Sequence, residues 1–264
     1  MYIDSEDVDH IFQNLIKDIP KLMGKIQMMQ LKIDNSLKKI SVVDHRIECN
    51  KWKNPVTKTC WEIYYVYVKY KTFKQIEFYP ITSIERNGIK DYFLFYHKDV
   101  EKAKKREGFL VKIFKGHFIS RFKKRAGIDA TIFDIIHNFQ YSEKHTIVDY
   151  FKQKEKWLLY LNRYGIAFVK KDLSYLSFDT FIPPSELKSD QKKIILDHFE
   201  KLYNTTDYPF LLSLEESEYW KDFIDPKKFN SVKKDFEELL HKAADKQPQF
   251  IRDNLLAIAR TKDK

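Results

Sequence analysis

In the run GHFISRFKKRAGI, residues 116–128, His117, Arg121 and Arg125 follow one another at steps of four. On a helix that spacing stacks side chains on one face, so an imidazole and two permanent cations would point into the same volume and could grip a phosphate. Phe118 and Phe122 repeat at the same interval on the neighbouring face, which would hold the helix against a core and leave the basic row at its edge. Charge is concentrated around the motif: residues 98–125 contain eleven Lys and Arg against three acidic residues, an excess of eight. A local excess points to a polyanionic partner more than a uniform one does. Lys104, Lys105, Arg106, Lys115, Lys123 and Lys124 are the candidate nucleic-acid-binding positions within it. An ordinary solvated helix presents the same residue types, so the motif also fits a purely structural surface.

The elements that must position this row can be read from periodicity. Ile11, Leu15, Ile19, Leu22, Ile26, Met29 and Ile33 predict a long amphipathic helix over 5–39, kinked or divided by Pro20 and Gly24. Strands are expected at 41–48, 61–70, 76–84 and 91–97, with KNPVTK and the Asn-Gly pair of ERNGIK as turns. This half reads as an antiparallel sheet backed by the first helix. A strand at 109–114 then leads into the motif helix, and a second helix is expected over 130–139 after Asp129 as cap. Strands at 156–162, 165–170 and 176–182 follow, with Asn162, Tyr164 and Gly165 at a turn, and helices at 189–203, 214–223, 227–245 and 248–260. The fold class is α+β.

The order His-x3-Arg-x3-Arg, Gly127-Ile128, a short helix, antiparallel strands and a last strand reading SFDTFI resembles a small bacterial domain family of uncharacterised function. Its members begin His-Ala-x-x-Arg-x-x-x-Arg-Gly-Ile and end with a strand holding a Thr. That family is grouped with the barnase, EndoU, colicin and RelE class of metal-independent ribonucleases. The resemblance covers about residues 108–183 and carries His117, Arg121, Arg125 and Thr180 onto this chain as catalytic residues. Phe118 stands where the family has a small residue, and Ala126 intervenes before Gly127. The chain as a whole reads as three segments: a helix-plus-sheet domain over 1–100, a ribonuclease-like α+β unit over 101–185 that carries the resemblance, and a helical region over 186–264. RNA cleavage by the ribose 2′-hydroxyl needs a base, an acid and cations to hold the negative charge of the phosphorane. Histidine titrates near neutral pH, so His117 could be either proton carrier. The Arg forks match phosphate oxygens, and Thr180 could donate to a non-bridging oxygen. For the second proton carrier His137, His145 and Tyr164 are the nearest residues in sequence, and the sequence does not choose among them.

Composition bounds the remaining readings. The 264 residues are 43% hydrophobic and 16% aromatic, enough for a packed core, with a formal charge of +10. The strand WEIYYVYVKY is apolar on both faces, as a central strand covered on each side would be; a base-stacking platform is its other use. Cys49 and Cys60 are the only cysteines, and no CxxC or Cys/His cluster accompanies them. They suggest a reducing interior and a cytoplasmic location, and no cofactor or metal site is expected. No apolar run is long enough to cross a bilayer. The acidic groups Asp4, Glu6, Asp7, Asp9 and Glu215, Glu216, Glu218 read as helix-start charge rather than metal ligands. The leading function is RNA binding, with metal-independent endoribonuclease activity of toxin or defence type as its enzymatic form. The alternative is a non-enzymatic interaction or structural protein of phage or mobile-element origin that docks a protein partner through its C-terminal helices, where Phe229, Val232, Phe236, Leu239 and Leu240 share a face.

Overall fold

The computed structural model describes residues 5–38, 42–70, 73–96, 110–141, 147–152, 155–171, 175–204, 211–212, 214 and 217–245. Two helices, α1 (Ser5–Ile16) and α2 (Ile19–Leu37), precede the strands β1 (Val42–Lys53), β2 (Cys60–Tyr70), β3 (Phe73–Arg86) and β4 (Ile89–Tyr96). Next come β5 (Leu110–Phe114), α3 (Gly116–Ala126) and α4 (Ile132–Tyr141), followed by β6 (Ile147–Lys152), β7 (Glu155–Asn162), β8 (Gly165–Lys171) and β9 (Tyr175–Ile182). A 3-10 turn at Pro184–Glu186 leads to α5 (Ser189–Tyr203) and α6 (Pro226–Asp245). The class is α+β, and the strands hydrogen-bond in the order β1-β2-β3-β4-β5-β9-β8-β7-β6. Neighbours from β1 to β5 are antiparallel, whereas β5 and β9 pair in parallel. Cα packing divides the chain into a first unit of residues 1–123, 129–136 and 169–180, and a second of 124–128, 137–168 and 181–264.

In the first unit, the helix expected over 5–39 is two helices. Lys17 and Asp18 donate to the carbonyls of Asn14 and Leu15, and the chain restarts with Pro20 in the first turn of α2. A proline there has no donor to lose, whereas in a continuous helix its ring would collide with the preceding turn. The two helices bury Leu15, Ile19, Leu22, Ile26 and Met29 against Trp61, Ile63, Phe93, Phe95, Val111 and Ile113 of the sheet. Tyr64, on the opposite face of β2, stacks on Phe133 of α4 with centroids 4.6 Å apart. The strand is therefore covered on both faces by its own chain, and Tyr64, Tyr65 and Tyr67 stack on internal partners rather than forming an open platform. β1 runs past its expected end to Lys53, which pairs with Cys60. Of the residues past that end only Trp52 is apolar and half-buried, packed on the core, while Asn50, Lys51 and Lys53 are exposed, so the run carries too little hydrophobic alternation to mark it. Cys49 lies opposite Tyr64 and Cys60 opposite Lys53, four ladder positions apart, and both are free. That offset is roughly 13 Å at the rise of a strand, well beyond disulfide reach. Between β3 and β4, Asn87 and Gly88 have φ of 50° and 75°, the two positive values that a two-residue hairpin turn needs.

α4 begins after Thr131, not Asp129. The Thr131 Oγ1 accepts from Asp134 N at 3.1 Å while the Asp134 carboxylate accepts from Thr131 N at 3.0 Å, a reciprocal cap that Asp129 does not make. In the second unit, Leu159, Leu161, Ile166 and Phe168 pack with Ile195 and Phe199 of α5, Val232 of α6 and the fully buried Trp220. β6 has no counterpart among the expected strands. Of the helix expected over 214–223, the described residues 214 and 217–223 form turns instead, with Ser217 N, Trp220 N and Phe223 N each donating three residues back. Trp220 and Phe223 are buried in the core there, and the Trp220 indole donates to Asn162 O at 2.7 Å. The helix expected over 248–260 lies outside the described residues.

Candidate nucleic-acid interface

α3 is held by its aromatic side. Phe118 and Phe122 are fully buried, and Phe178 of β9 stacks on Phe114 at 4.4 Å and meets Phe118 edge-on at 5.6 Å. The start of the helix is fixed as tightly. Gly116 N donates to the buried Asp91 carboxylate at 2.8 Å, and a Cβ at Gly116 would fall 2.7 Å from Lys90 O. Asp91 thus takes the position that a bound anion would occupy at a helix N-terminus, which leaves side chains to do any phosphate binding. Lys115, directly before the helix, is 2.9 Å from Asp179 of β9, and Asp179 also accepts from Ser177 Oγ at 2.7 Å. Lys115 is therefore ion-paired to β9 in this structure.

On the open side of α3, His117 and, one turn later, Arg121 are both exposed. Arg121 Nη1 donates to Thr180 Oγ1 at 2.5 Å, joining two of the sequence-derived site residues across 59 positions of chain. A hydroxyl that accepts from a guanidinium keeps its own proton to donate elsewhere, and four of the five Arg121 N–H donors are left for a ligand. His117, Arg121 and Thr180 all belong to the first unit.

Arg125 belongs to the second unit and is differently engaged. Its Nη1 donates to Phe181 O, and its Nη2 lies 3.0 Å from the Glu186 carboxylate. This guanidinium clamps the end of α3 to the strand end and the 3-10 turn. Lys123 is half-buried and Lys124 exposed, and neither is ion-paired among the described residues. Lys104, Lys105 and Arg106 lie outside those residues, as does His145. His137 is half-buried in α4, and Tyr164 is half-buried at the β7–β8 turn with the Arg163 guanidinium 4.6 Å over its ring.

Asp91, which holds the helix start, and Asp179 and Glu186, which pair with Lys115 and Arg125, were missed by sequence reasoning. Only Asp179 left a trace, as an acidic residue alternating with Ser177 in an otherwise apolar strand. Among the described residues, no three His, Cys, Asp or Glu side chains gather as metal ligands do, and no helix is long and apolar enough to cross a membrane. No protein-family model, curated protein or solved structure matches the chain.

Proposed function

We propose that the protein binds RNA through the exposed face of α3 and cleaves it without a metal, His117 carrying a proton and Arg121 with Thr180 holding the phosphate. The observation that carries this reading is the Arg121–Thr180 hydrogen bond one helical turn from an exposed imidazole. The pair offers a phosphate two kinds of donor at once, the remaining guanidinium N–H groups and the threonine O–H. In the reaction, the ribose 2′-oxygen forms a bond to phosphorus as the bond to the 5′-oxygen breaks. The 2′-hydroxyl proton goes to a base, the leaving oxygen takes one from an acid, and His117 fills one of these roles. The charge on the non-bridging oxygens grows toward the phosphorane, so donors aimed at them act most strongly in the transition state.

The test is end-labelled RNA incubated with excess EDTA, with products examined for 2′,3′-cyclic phosphate ends. A positioned proton carrier contributes about a hundred- to ten-thousand-fold in rate and little to ground-state affinity. His117→Ala is therefore expected to lose cleavage and keep binding. Intact RNA with wild-type protein, or equal cleavage by His117→Ala, leaves α3 as a binding surface at most.

A further inference from the structure

We infer that the β7–β8 turn is a nucleobase-stacking subsite for single-stranded RNA, built from Arg163, Tyr164 and Tyr219; the inference rests on the RNA-binding reading above. The Arg163 guanidinium lies 4.6 Å over the Tyr164 ring, and Tyr219 meets that ring at 6.1 Å with an interplanar angle of 76°. Tyr164 is thus backed by one ring edge and roofed by a planar cation, while Arg163 itself is exposed. The outer face of a guanidinium stacked on an aromatic is a flat, weakly hydrated cationic plane. Bases stack on such planes, and a nearby phosphate gains from the charge.

What separates this pair from an ordinary surface Arg–Tyr contact is how firmly its turn is held. Asn162 Oδ1 accepts from Tyr164 N at 2.9 Å and from Gly165 N at 3.0 Å. Gly165 has φ of 152°, and a Cβ there would sit 2.5 Å from Ile182 O, so the turn closes against the next strand as only glycine permits. The backbone on either side is gripped from the 217–220 segment: Trp220 Nε1 donates to Asn162 O at 2.7 Å, and Ser217 Oγ donates to Arg163 O. Tyr219 is fixed in turn by its hydroxyl, which donates to Ala126 O at 2.8 Å. A hairpin tip needs none of this to connect two strands. Preorganisation of an exposed planar pair lowers the ordering cost of stacking a ligand on it. The partner chemistry follows from the charge: the platform is cationic and flat, in a chain of formal charge +10, which suits a base attached to a phosphate backbone.

The experiment compares the full-length protein's affinity for a short fluorescent oligoadenylate with that for the same oligomer carrying abasic ribose, by anisotropy at fixed low salt. Wild type is expected to prefer the adenylate by about tenfold, the order of one stacked base. Arg163→Lys keeps the charge but loses the plane, and is expected to bind the abasic oligomer as wild type does while losing most of the preference. Tyr164→Leu, checked for an unchanged melting temperature, is expected to do the same. If either folded variant retains the full preference, the subsite is not there. Equal wild-type affinity for both oligomers overturns the subsite and leaves phosphate binding by α3 standing. Binding of neither overturns both readings.

Discussion

Arg121 and Arg125 are one turn apart on the same helix, yet their partners give them opposite tasks. Arg121 meets a neutral hydroxyl and keeps its charge available, whereas Arg125 meets a carboxylate and a carbonyl. Arg121→Ala is expected to weaken RNA binding several-fold with stability changed by less than about 0.5 kcal/mol, as for an exposed side chain. Arg125→Ala should do the reverse. It is expected to lower stability by about 1 kcal/mol, a figure already reduced for the partial exposure of the ion pair, and to leave affinity almost unchanged. Anisotropy and urea unfolding on the two variants read both quantities, and a crossed result would exchange the roles. Spacing alone made both arginines legible as one basic row. It could not reveal which was already occupied, because Glu186 is distant in sequence and carries no pattern of its own. Gly116 is a similar case: a glycine before His117 looks like a routine helix start, and only the fold shows Lys90 O standing where a Cβ would go. Gly116→Ala should cost about 1–3 kcal/mol in urea unfolding, because a Cβ would meet Ile89 Cγ2 at 2.4 Å and the Lys90 backbone carbonyl at 2.7 Å, and the backbone as well as the side chain must give way.

Between elements, the first unit is tied at two polar points that its apolar pattern did not announce. Asp18, fully buried between α1 and α2, accepts from Trp61 Nε1 at 2.9 Å and from Asn54 Nδ2 at 3.0 Å. It pins the helix pair to both ends of the β1–β2 turn. Asp18→Ala would leave two buried donors without their acceptor, and a loss of about 3 kcal/mol is expected by chemical denaturation; a loss below about 1 kcal/mol would mean that water replaces the carboxylate. On β1, Glu48 accepts hydrogen bonds from the hydroxyls of Tyr65 and Tyr67 and lies 3.1 Å from Arg46. Its carboxyl is held below the ordinary value first by the Tyr65 bond, and then by Tyr67 and the Arg46 charge, against the opposing effect of burial. A depressed carboxylate contributes stability above its unfolded pKa, and loses it as pH falls through the lower folded value. Glu48→Gln should therefore flatten the fall in stability below about pH 4, and it should also change the alkaline limb, because burial first and then the Glu48 carboxylate hold the Tyr65 and Tyr67 hydroxyls above the ordinary phenol value. Most of the strands were legible because aromatic and β-branched runs alternate between turn residues. β6 and the turns at 217–223 were not, since one is a short segment with a weak alternation and the other places Trp220 and Phe223 three apart, a spacing a helix face would also show.

Across the whole molecule, the excess of eight positive charges over residues 98–125 overstates what a nucleic acid would meet. Lys115 is matched by Asp179 and Arg125 by Glu186, so from α3 the cations that remain are Arg121, Lys123 and Lys124. For single-stranded RNA each phosphate neutralised contributes roughly 0.7 to the slope of log affinity against log salt. Three contacts on α3 then give a slope of about −2, and Arg121→Ala should reduce it by about 0.7. Anisotropy titrations from low to physiological salt measure both slopes. A wild-type slope well beyond −2 that Arg121→Ala leaves untouched would move the binding surface off α3, with Lys104, Lys105 and Arg106 the next residues to replace. The absence of binding even at low salt would remove RNA as the partner, and the helical C-terminal region would then be the place to seek a protein one.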